Sequence, residues 1–282
     1  MKRLAVLGHP VSHSRSPAMQ NAALEALGLA TEWSYEAIDL EPAEFSGGVR
    51  ELHGQGFVGA NVTIPHKRAA LALADQASEA AEQIGAANTL SFRDASIRAD
   101  NTDATGLLAT LPGPVEAREA LVLGAGGSAR AAAWALAEQG AAVSIWNRTP
   151  KRADELVRDL ARVGSRTSAK GRLRAVTAGQ IRANGYELIV NCTAIGMRDE
   201  DPFDHLPLDP ERFSADLVLV DLVYAGSASR LVREARDRGA TAVEGLEILV
   251  RQGAESLRIW TGMDPPIDIM REAARTYLRP DC

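Results

Sequence analysis

ALVLGAGGSARAAAWALAEQG, residues 120–140, joins an apolar β run to an alanine-rich helical pattern through a glycine turn. Gly124, Gly126 and Ala129 fall at GxGxxA spacing inside that strand, turn and helix, the context that turns a bare glycine motif into evidence for a dinucleotide site. There the backbone of residues 124–129 (Gly124, Ala125, Gly126, Gly127, Ser128, Ala129) can approach a pyrophosphate, and the helix N-terminus stabilises its charge. The alternative is a glycine turn kept only for tight packing. The next β run, AAVSIWN, ends where an NAD-binding chain usually carries an acidic residue for the ribose hydroxyls. Here stand Asn147, Arg148 and Thr149, with Arg152 following. Guanidinium groups pair with a 2′-phosphate that a carboxylate would repel, so NADP(H) is preferred over NAD. Against this, Arg148 and Arg152 could be ordinary solvated cations in an arginine-rich chain.

Outward from this motif, β-rich runs alternate with helical patterns. RLAVLG, WSYEAID and FVGANVTI are separated by PAMQNAALEAL and EPAEFSGGVRELH, PHKRAALALA follows, and AANTLSF and ASIRAD close the first third. After LPGPVEARE, rich in proline, glycine and charge, a second series runs through AVSIWN, KRADELVRDLARV, YELIVNC, DLVLVDL and SRLVREARDRG. Such alternation implies parallel strands with crossover helices. At 282 residues and 46% hydrophobic the chain is near the size where one core splits into two. From Gly245 the pattern is helical and too short to stand alone. The expected fold is therefore two-domain α/β: a substrate domain at 1–101 plus 245–282 and an inserted Rossmann-like NADP-binding domain at 102–244. The C-terminal helices pack back on the first domain, and a ligand sits in a cleft between the two.

The net charge of −6 supplies no broad cationic field, which disfavours nucleic acid and anionic membranes as partners and favours a small-molecule substrate. Cys192 and Cys282 form neither a disulfide framework nor a metal spacing, and no histidine has a partner at metal-ligand spacing. A cytoplasmic protein without a metal is expected, with a homodimer left open. The apolar stretch of MKRLAVLGHPV is too short for the roughly 7–15 residues of a signal-peptide core and reads as a first strand. No run reaches the roughly 20 apolar residues of a membrane helix.

NVTIPHK, residues 61–67, raises a separate question. Of 31 basic residues only Lys2, Lys67, Lys151 and Lys170 are lysines. Pro65 suits a first helical turn, so Lys67 lies near a helix N-terminus, where the macrodipole disfavours a cation. A nearby carboxylate or a catalytic role would explain it, since lysine, unlike arginine, can give up a proton near neutral pH when its surroundings favour that. A solvated lysine at a helix start is the bland alternative. In ADNTDATG, Asp103 opens a helical run as either an N-cap or a partner for that lysine. Asn88, in GAANT, either satisfies backbone or binds a hydroxyl. In HSRSP, Ser14 and Ser16 project to one side of an extended segment and could pinch a carboxylate. Ser16 before Pro17, taken alone, reads first as an N-cap, whereas Ser14 has no capping excuse.

Together, GHPVSHSRSP, NVTIPHK, GAANT, DNTDATG, GAGGSARA, NRT, NCTAIGM, DLVY and LVRQGA resemble the motifs of the shikimate dehydrogenases, in order and over nearly the whole chain. The resemblance implies reversible, NADPH-dependent reduction of 3-dehydroshikimate to shikimate. It implies that Ser14 and Ser16 hold the substrate carboxylate, that Thr63, Asn88, Tyr224 and Gln252 bind the ring's polar groups, and that Lys67 and Asp103 form the catalytic pair. For the cofactor it points to the loop Gly124 to Ala129, to Asn147, Arg148, Thr149 and Arg152, and to Thr193, Met197, Leu222 and Gly245 on the nicotinamide side, with Glu79 a weaker carry-over. The chain departs from the family pattern in AGSASR after Tyr224, at Glu247 and Ile248, and at Ala99. A quinate or dual quinate/shikimate dehydrogenase would use the same scaffold. A dinucleotide-sensing protein that catalyses nothing need keep neither Lys67 nor Asp103.

Overall fold

The computed structural model describes residues 1–94, 96–163, 173–183, 185–197, 200–224 and 228–277; Lys170, Cys282 and residues 225–227 of AGSASR lie outside them. The chain divides into two compact units, Met1–Gly106 with Leu249–Cys282, and Leu107–Ile248.

The first unit holds a six-stranded sheet. Its strands are β1 (Lys2–Gly8), β2 (Trp33–Asp39), β3 (Phe57–Val62), β4 (Gln76–Ala77), β5 (Thr89–Arg93) and β6 (Ser96–Asp100), in the order β2-β1-β3-β5-β6-β4. β1 is parallel to both β2 and β3, with α1 (Ser16–Ala26) and α2 (Phe45–Gly54) as crossovers. The expectation of parallel strands fails at β5, which is antiparallel to β3 and to β6, whereas β4 is parallel to β6. Only two residues separate β5 from β6, Asp94 is left-handed (φ 48°), and so short a link makes a hairpin rather than a crossover. Three short helices complete this region: α3 (Lys67–Leu73), α4 (Glu79–Ile84) and α5 (Asp103–Leu108). Phe45, Val49, Ala60, Leu90 and Ile97 lie in its core.

In the second unit β7 (Glu119–Leu123), β8 (Ala142–Trp146), β9 (Leu173–Ala175), β10 (Leu188–Asn191), β11 (Val218–Asp221) and β12 (Thr241–Glu244) form an all-parallel sheet in the order β12-β11-β10-β7-β8-β9. The helices are α6 (Gly127–Glu138), α7 (Pro150–Val163), α8 (Ala178–Ala183), α9 (Pro202–His205) and α10 (Arg230–Asp237). The order reverses between β7 and β10, the doubly wound arrangement whose switch point receives dinucleotides. β7 shows why its sequence is a continuous apolar run: Ala120 and Val122 enter one core, Leu121 and Leu123 the other, so both faces are covered.

The last helices are α11 (Gly245–Thr261) and α12 (Ile267–Thr276), and from Leu249 onward they belong to the first unit. Trp260 on α11 donates its indole N–H to the Leu90 carbonyl at 3.0 Å. Arg15, preceding α1, reaches the Ala274 carbonyl on α12 at 3.0 Å. α11 and α12 are thus hydrogen-bonded within their own unit, to β5 and to the residue that precedes α1.

Candidate active site

β3 ends at Val62, and after four intervening residues α3 begins with Lys67 as its first residue. Neither water nor the helix terminus accounts for a cation there, because Lys67 is buried (8% exposed). Its Nζ instead donates to Asp103 Oδ2 at 2.5 Å. Asp103 opens α5, but the N-cap alternative fails: Asn101 Oδ1 accepts the Asp103 and Ala104 N–H groups at 3.1 and 3.4 Å. With the helix start satisfied by Asn101, the Asp103 carboxylate is left for the lysine.

Asn88, just ahead of β5, does both things the sequence left open. Its Oδ1 accepts the Thr102 backbone N–H at 2.7 Å, which fixes the amide's orientation. Its Nδ2 then donates to Asp103 Oδ1 at 2.8 Å and to Gln252 Oε1 on α11 at 3.1 Å. Lys67, Asp103, Asn88 and Gln252 are therefore one hydrogen-bonded group. Below them lies a buried cluster that sequence reasoning missed. Asn61 Nδ2 donates to Ser256 Oγ at 2.8 Å, Tyr35 Oη donates to Asn61 Oδ1 at 2.8 Å, and the Thr89 and Ser256 hydroxyls are 2.8 Å apart. The available signal was an asparagine inside the apolar run FVGANVTI, since a buried amide must be hydrogen-bonded.

The loops after β1 and β3 leave the same end of two adjacent parallel strands, and they are tied by Thr63 N–H to Leu7 O at 2.8 Å and His9 N–H to Ile64 O at 3.1 Å. Ser14 and Thr63 lie in these loops, and Ser16 and Lys67 are the first residues of the helices that follow them. Ser14 and Ser16 are buried, and their capping assignments reverse those expected. Ser16 is already helical and its hydroxyl caps nothing, whereas Ser14 Oγ accepts the Ser16 N–H at 3.2 Å. The β1 loop is held by a further pair that sequence reasoning missed: Asp39 accepts from Val11 N–H at 3.0 Å and contacts His9 Nδ1 at 2.6 Å. That hydrogen bond raises the His9 pKa and lowers that of Asp39.

In the second unit, Gly124 follows β7 with φ 111°. A Cβ there would lie 3.3 Å from the Cys192 carbonyl group, so glycine allows the loops after β7 and β10 to meet at the switch point. Gly126 precedes α6 without a side-chain cap, and a Cβ on it would meet nothing within 4 Å. The start of α6 thus has no side-chain cap and leaves room for close approach at Gly126, as a pyrophosphate would need. After β8, Asn147 Nδ2 donates to the Thr149 carbonyl at 3.0 Å, shaping a turn on which Arg148, Thr149 and Arg152 are exposed. Neither arginine is ion-paired among the described residues, which leaves both free for a phosphate. The residues present fit a dinucleotide carrying a 2′-phosphate. Thr193, half-buried, and Met197, 43% exposed, lie in the loop after β10, while Leu222 and Tyr224, both half-buried, follow β11. Gly245 begins α11. Glu79 opens α4 in the first unit, where its carboxylate accepts from Gln83 Nε2 at 2.9 Å. Among the described residues no cluster of His, Cys, Asp or Glu could hold a metal, and no helix is long and apolar enough to cross a membrane.

Comparisons with known proteins agree across both units. Family models for the shikimate dehydrogenase substrate binding domain, shikimate / quinate 5-dehydrogenase and the shikimate 5′-dehydrogenase C-terminal domain match residues 6–90, 108–179 and 245–275. The chain is 41% identical over 281 residues to a shikimate dehydrogenase (NADP(+)) of Methanothermobacter thermautotrophicus, covering 98% of this chain and 96% of that one. It is 44% identical over 281 residues to one of Thermus thermophilus, covering 99% of each. The crystal structure of a Thermus thermophilus shikimate 5-dehydrogenase in complex with NADP(H) and shikimate matches with a TM-score of 0.85 at 43% identity, covering 99% of this chain and 100% of that chain.

Proposed function

Because this chain belongs to the shikimate dehydrogenase family, we propose that it catalyses the reversible, NADPH-dependent reduction of 3-dehydroshikimate to shikimate in the chorismate and aromatic amino-acid pathway. The observation that carries the chemistry is the contact of a buried lysine Nζ with Asp103 at 2.5 Å, in a hydrogen-bonded group that includes the side-chain amides of Asn88 and Gln252. A protein that only senses a dinucleotide has no use for that group.

Bound NADPH supplies the hydride. Lys67 Nζ, as an ammonium, stabilises the alkoxide that develops on the reduced ketone and donates a proton to it. In the oxidative direction the neutral amine takes the proton from the hydroxyl. Asp103 holds the ammonium in place through Oδ2, while its Oδ1 is fixed by Asn88. Ser14 and Ser16 hold the substrate carboxylate, and Thr63, Asn88, Tyr224 and Gln252 meet the ring's polar groups. The backbone from Gly124 to Ala129 receives the pyrophosphate at the N-terminus of α6, while Asn147, Arg148, Thr149 and Arg152 receive the 2′-phosphate. Thr193, Met197, Leu222 and Gly245 border the nicotinamide. We place the enzyme in the cytosol, with a homodimer as its working assembly, to be checked by cell fractionation and light scattering.

The test is the initial rate of absorbance change at the NADPH band, with shikimate or quinate as substrate and NADP or NAD as acceptor. The proposal expects shikimate with NADP to give the highest kcat/KM. Quinate is the second substrate to compare, because residues 108–179 match the shikimate / quinate 5-dehydrogenase family. No turnover of shikimate with either cofactor would refute the proposal.

A further inference from the structure

Asp221 ends β11 and is 1% exposed, yet it is a carboxylate inside the apolar run DLVLVDL and plays no part in the proposed chemistry. Burial pushes its pKa up, so an anionic side chain here carries a desolvation cost. Three donors from three different segments converge on it. Asn191, its register partner at the end of β10, donates from Nδ2 to Oδ1 at 2.9 Å. The Val223 backbone N–H reaches the same oxygen at 3.1 Å. Ser229 donates its hydroxyl to Oδ2 at 2.6 Å, while its Oγ accepts the Val232 N–H at the start of α10.

The chain of contacts continues into the loop after β10. Asn191 Oδ1 accepts the Thr193 N–H at 3.1 Å and its hydroxyl at 2.7 Å, and Thr193 Oγ1 accepts the Ile195 N–H at 3.2 Å. On its other side, the segment after β11 is confined by Gly245. A Cβ at 245 would lie 2.6 Å from the Leu222 carbonyl carbon and oxygen and 2.7 Å from the Val223 oxygen. Residues 222 and 223 are thus set between a carboxylate that takes the Val223 N–H and a backbone that allows no side chain.

We infer that Asp221 is a positioning residue for the nicotinamide end of the cofactor site: acting through Asn191 and Val223, it fixes the segments that carry Thr193 and Leu222 relative to each other. This rests on the proposed role of the second unit as the NADP-holding one. What Asp221 supplies is two acceptor oxygens in fixed places, and asparagine can supply much of that. Its carbonyl takes the Asn191 and Val223 donors and its amide faces Ser229 Oγ, a hydroxyl oxygen able to accept.

Steady-state kinetics on Asp221→Ala and Asp221→Asn, each confirmed folded by circular dichroism, test the inference with NADP and shikimate varied separately. Losing the hydrogen bonds to a buried carboxylate should raise the KM for NADP by roughly tenfold or more in Asp221→Ala. The KM for shikimate should stay within about twofold, and Asp221→Asn should restore the NADP KM to within about threefold of wild type. A folded Asp221→Ala with the wild-type KM for NADP would overturn the inference, as would equal losses for both substrates, the mark of a merely structural role. Should Asp221→Ala fail to fold, Asn191→Ala, which removes the link from Asp221 Oδ1 to the Thr193 segment, decides: a higher NADP KM at constant shikimate KM supports the inference and an unchanged one overturns it. A wild-type enzyme that fails to turn over shikimate with NADP defeats the functional proposal instead, which keeps the two failures apart.

Discussion

Replacing Asp103 by asparagine swaps a single oxygen for a nitrogen and should nonetheless damage both stability and turnover. Oδ2 accepts from Lys67 Nζ at 2.5 Å and Oδ1 accepts from Asn88 Nδ2 at 2.8 Å. With Lys67 as an ammonium, neither donor is an acceptor. An ammonium has no lone pair, and the Asn88 amide cannot turn round because its Oδ1 already takes the Thr102 N–H at 2.7 Å. The substituted amide would offer one oxygen and one NH2 group, so one of the two donors must face an N–H, and Lys67 loses its counter-charge. Breaking a buried pair from one side costs about 3–5 kcal/mol. Both side chains keep some solvent contact, 10% and 13% exposed, and asparagine retains one acceptor. The lower end, about 3 kcal/mol, is therefore expected. At about 2–4 °C per kcal/mol for a body of this size, the first unit should melt roughly 6–12 °C lower. Scanning calorimetry reads the shift, and kcat measured on the same sample should fall at least about 10²-fold. An Asp103→Asn variant that melts within about 2 °C of wild type would show that the pair is not held as described.

Three further outcomes follow from individual contacts. Gly106→Ala would put a Cβ 2.8 Å from the Gln252 backbone N and Cβ, displacing Gln252; the KM for shikimate should rise about tenfold at near-constant KM for NADP, and an unchanged shikimate KM would remove Gln252 from the substrate site. Arg148→Ala should raise the KM for NADP by roughly tenfold or more while leaving that for NAD within about twofold, whereas parallel losses would rule out a 2′-phosphate contact. His9 is raised above 6.5 first by its hydrogen bond with Asp39, so its contribution to stability is complete below 6.5 and lost as pH rises through the raised value. Asp39, lowered below 3.8 first by the same bond, contributes above 3.8 and loses that contribution as pH falls through the lowered value, so the pair is intact between the two. Asp39→Asn should bring the NMR titration of His9 back toward 6.5, and an unmoved midpoint would break the link.

The α/β class was legible because GAGGSA sits between a buried strand and a helix, where the backbone chemistry leaves few alternatives. The antiparallel half of the first sheet was not, since AANTLSF and ASIRAD look alike in either direction and only the two-residue link decides. β4, of two residues, and β9, of three, are too short to carry a periodicity. Lys67 stood out by residue type in an arginine-rich chain, and its place at a helix start could be read from Pro65. The function of Asp103 could not, because a cap and a counter-ion share one pattern, and only the structure shows Asn101 taking the helix N–H groups. The capping roles of Ser14 and Ser16 were misread for a related reason: Ser–Pro marks a helix start without saying which hydroxyl turns inward. Asn61, Ser256 and Asp221 act through partners distant in sequence, and one chain's pattern contains no trace of such pairings.

Proton transfer by the Lys67 amine is the central step of the proposed reaction, and steady-state kinetics of Lys67→Ala with shikimate and NADP measure it most directly. The expected result is a kcat lower by roughly 10²- to 10⁴-fold with little change in the KM for shikimate. A variant that turns over as fast as wild type would contradict it.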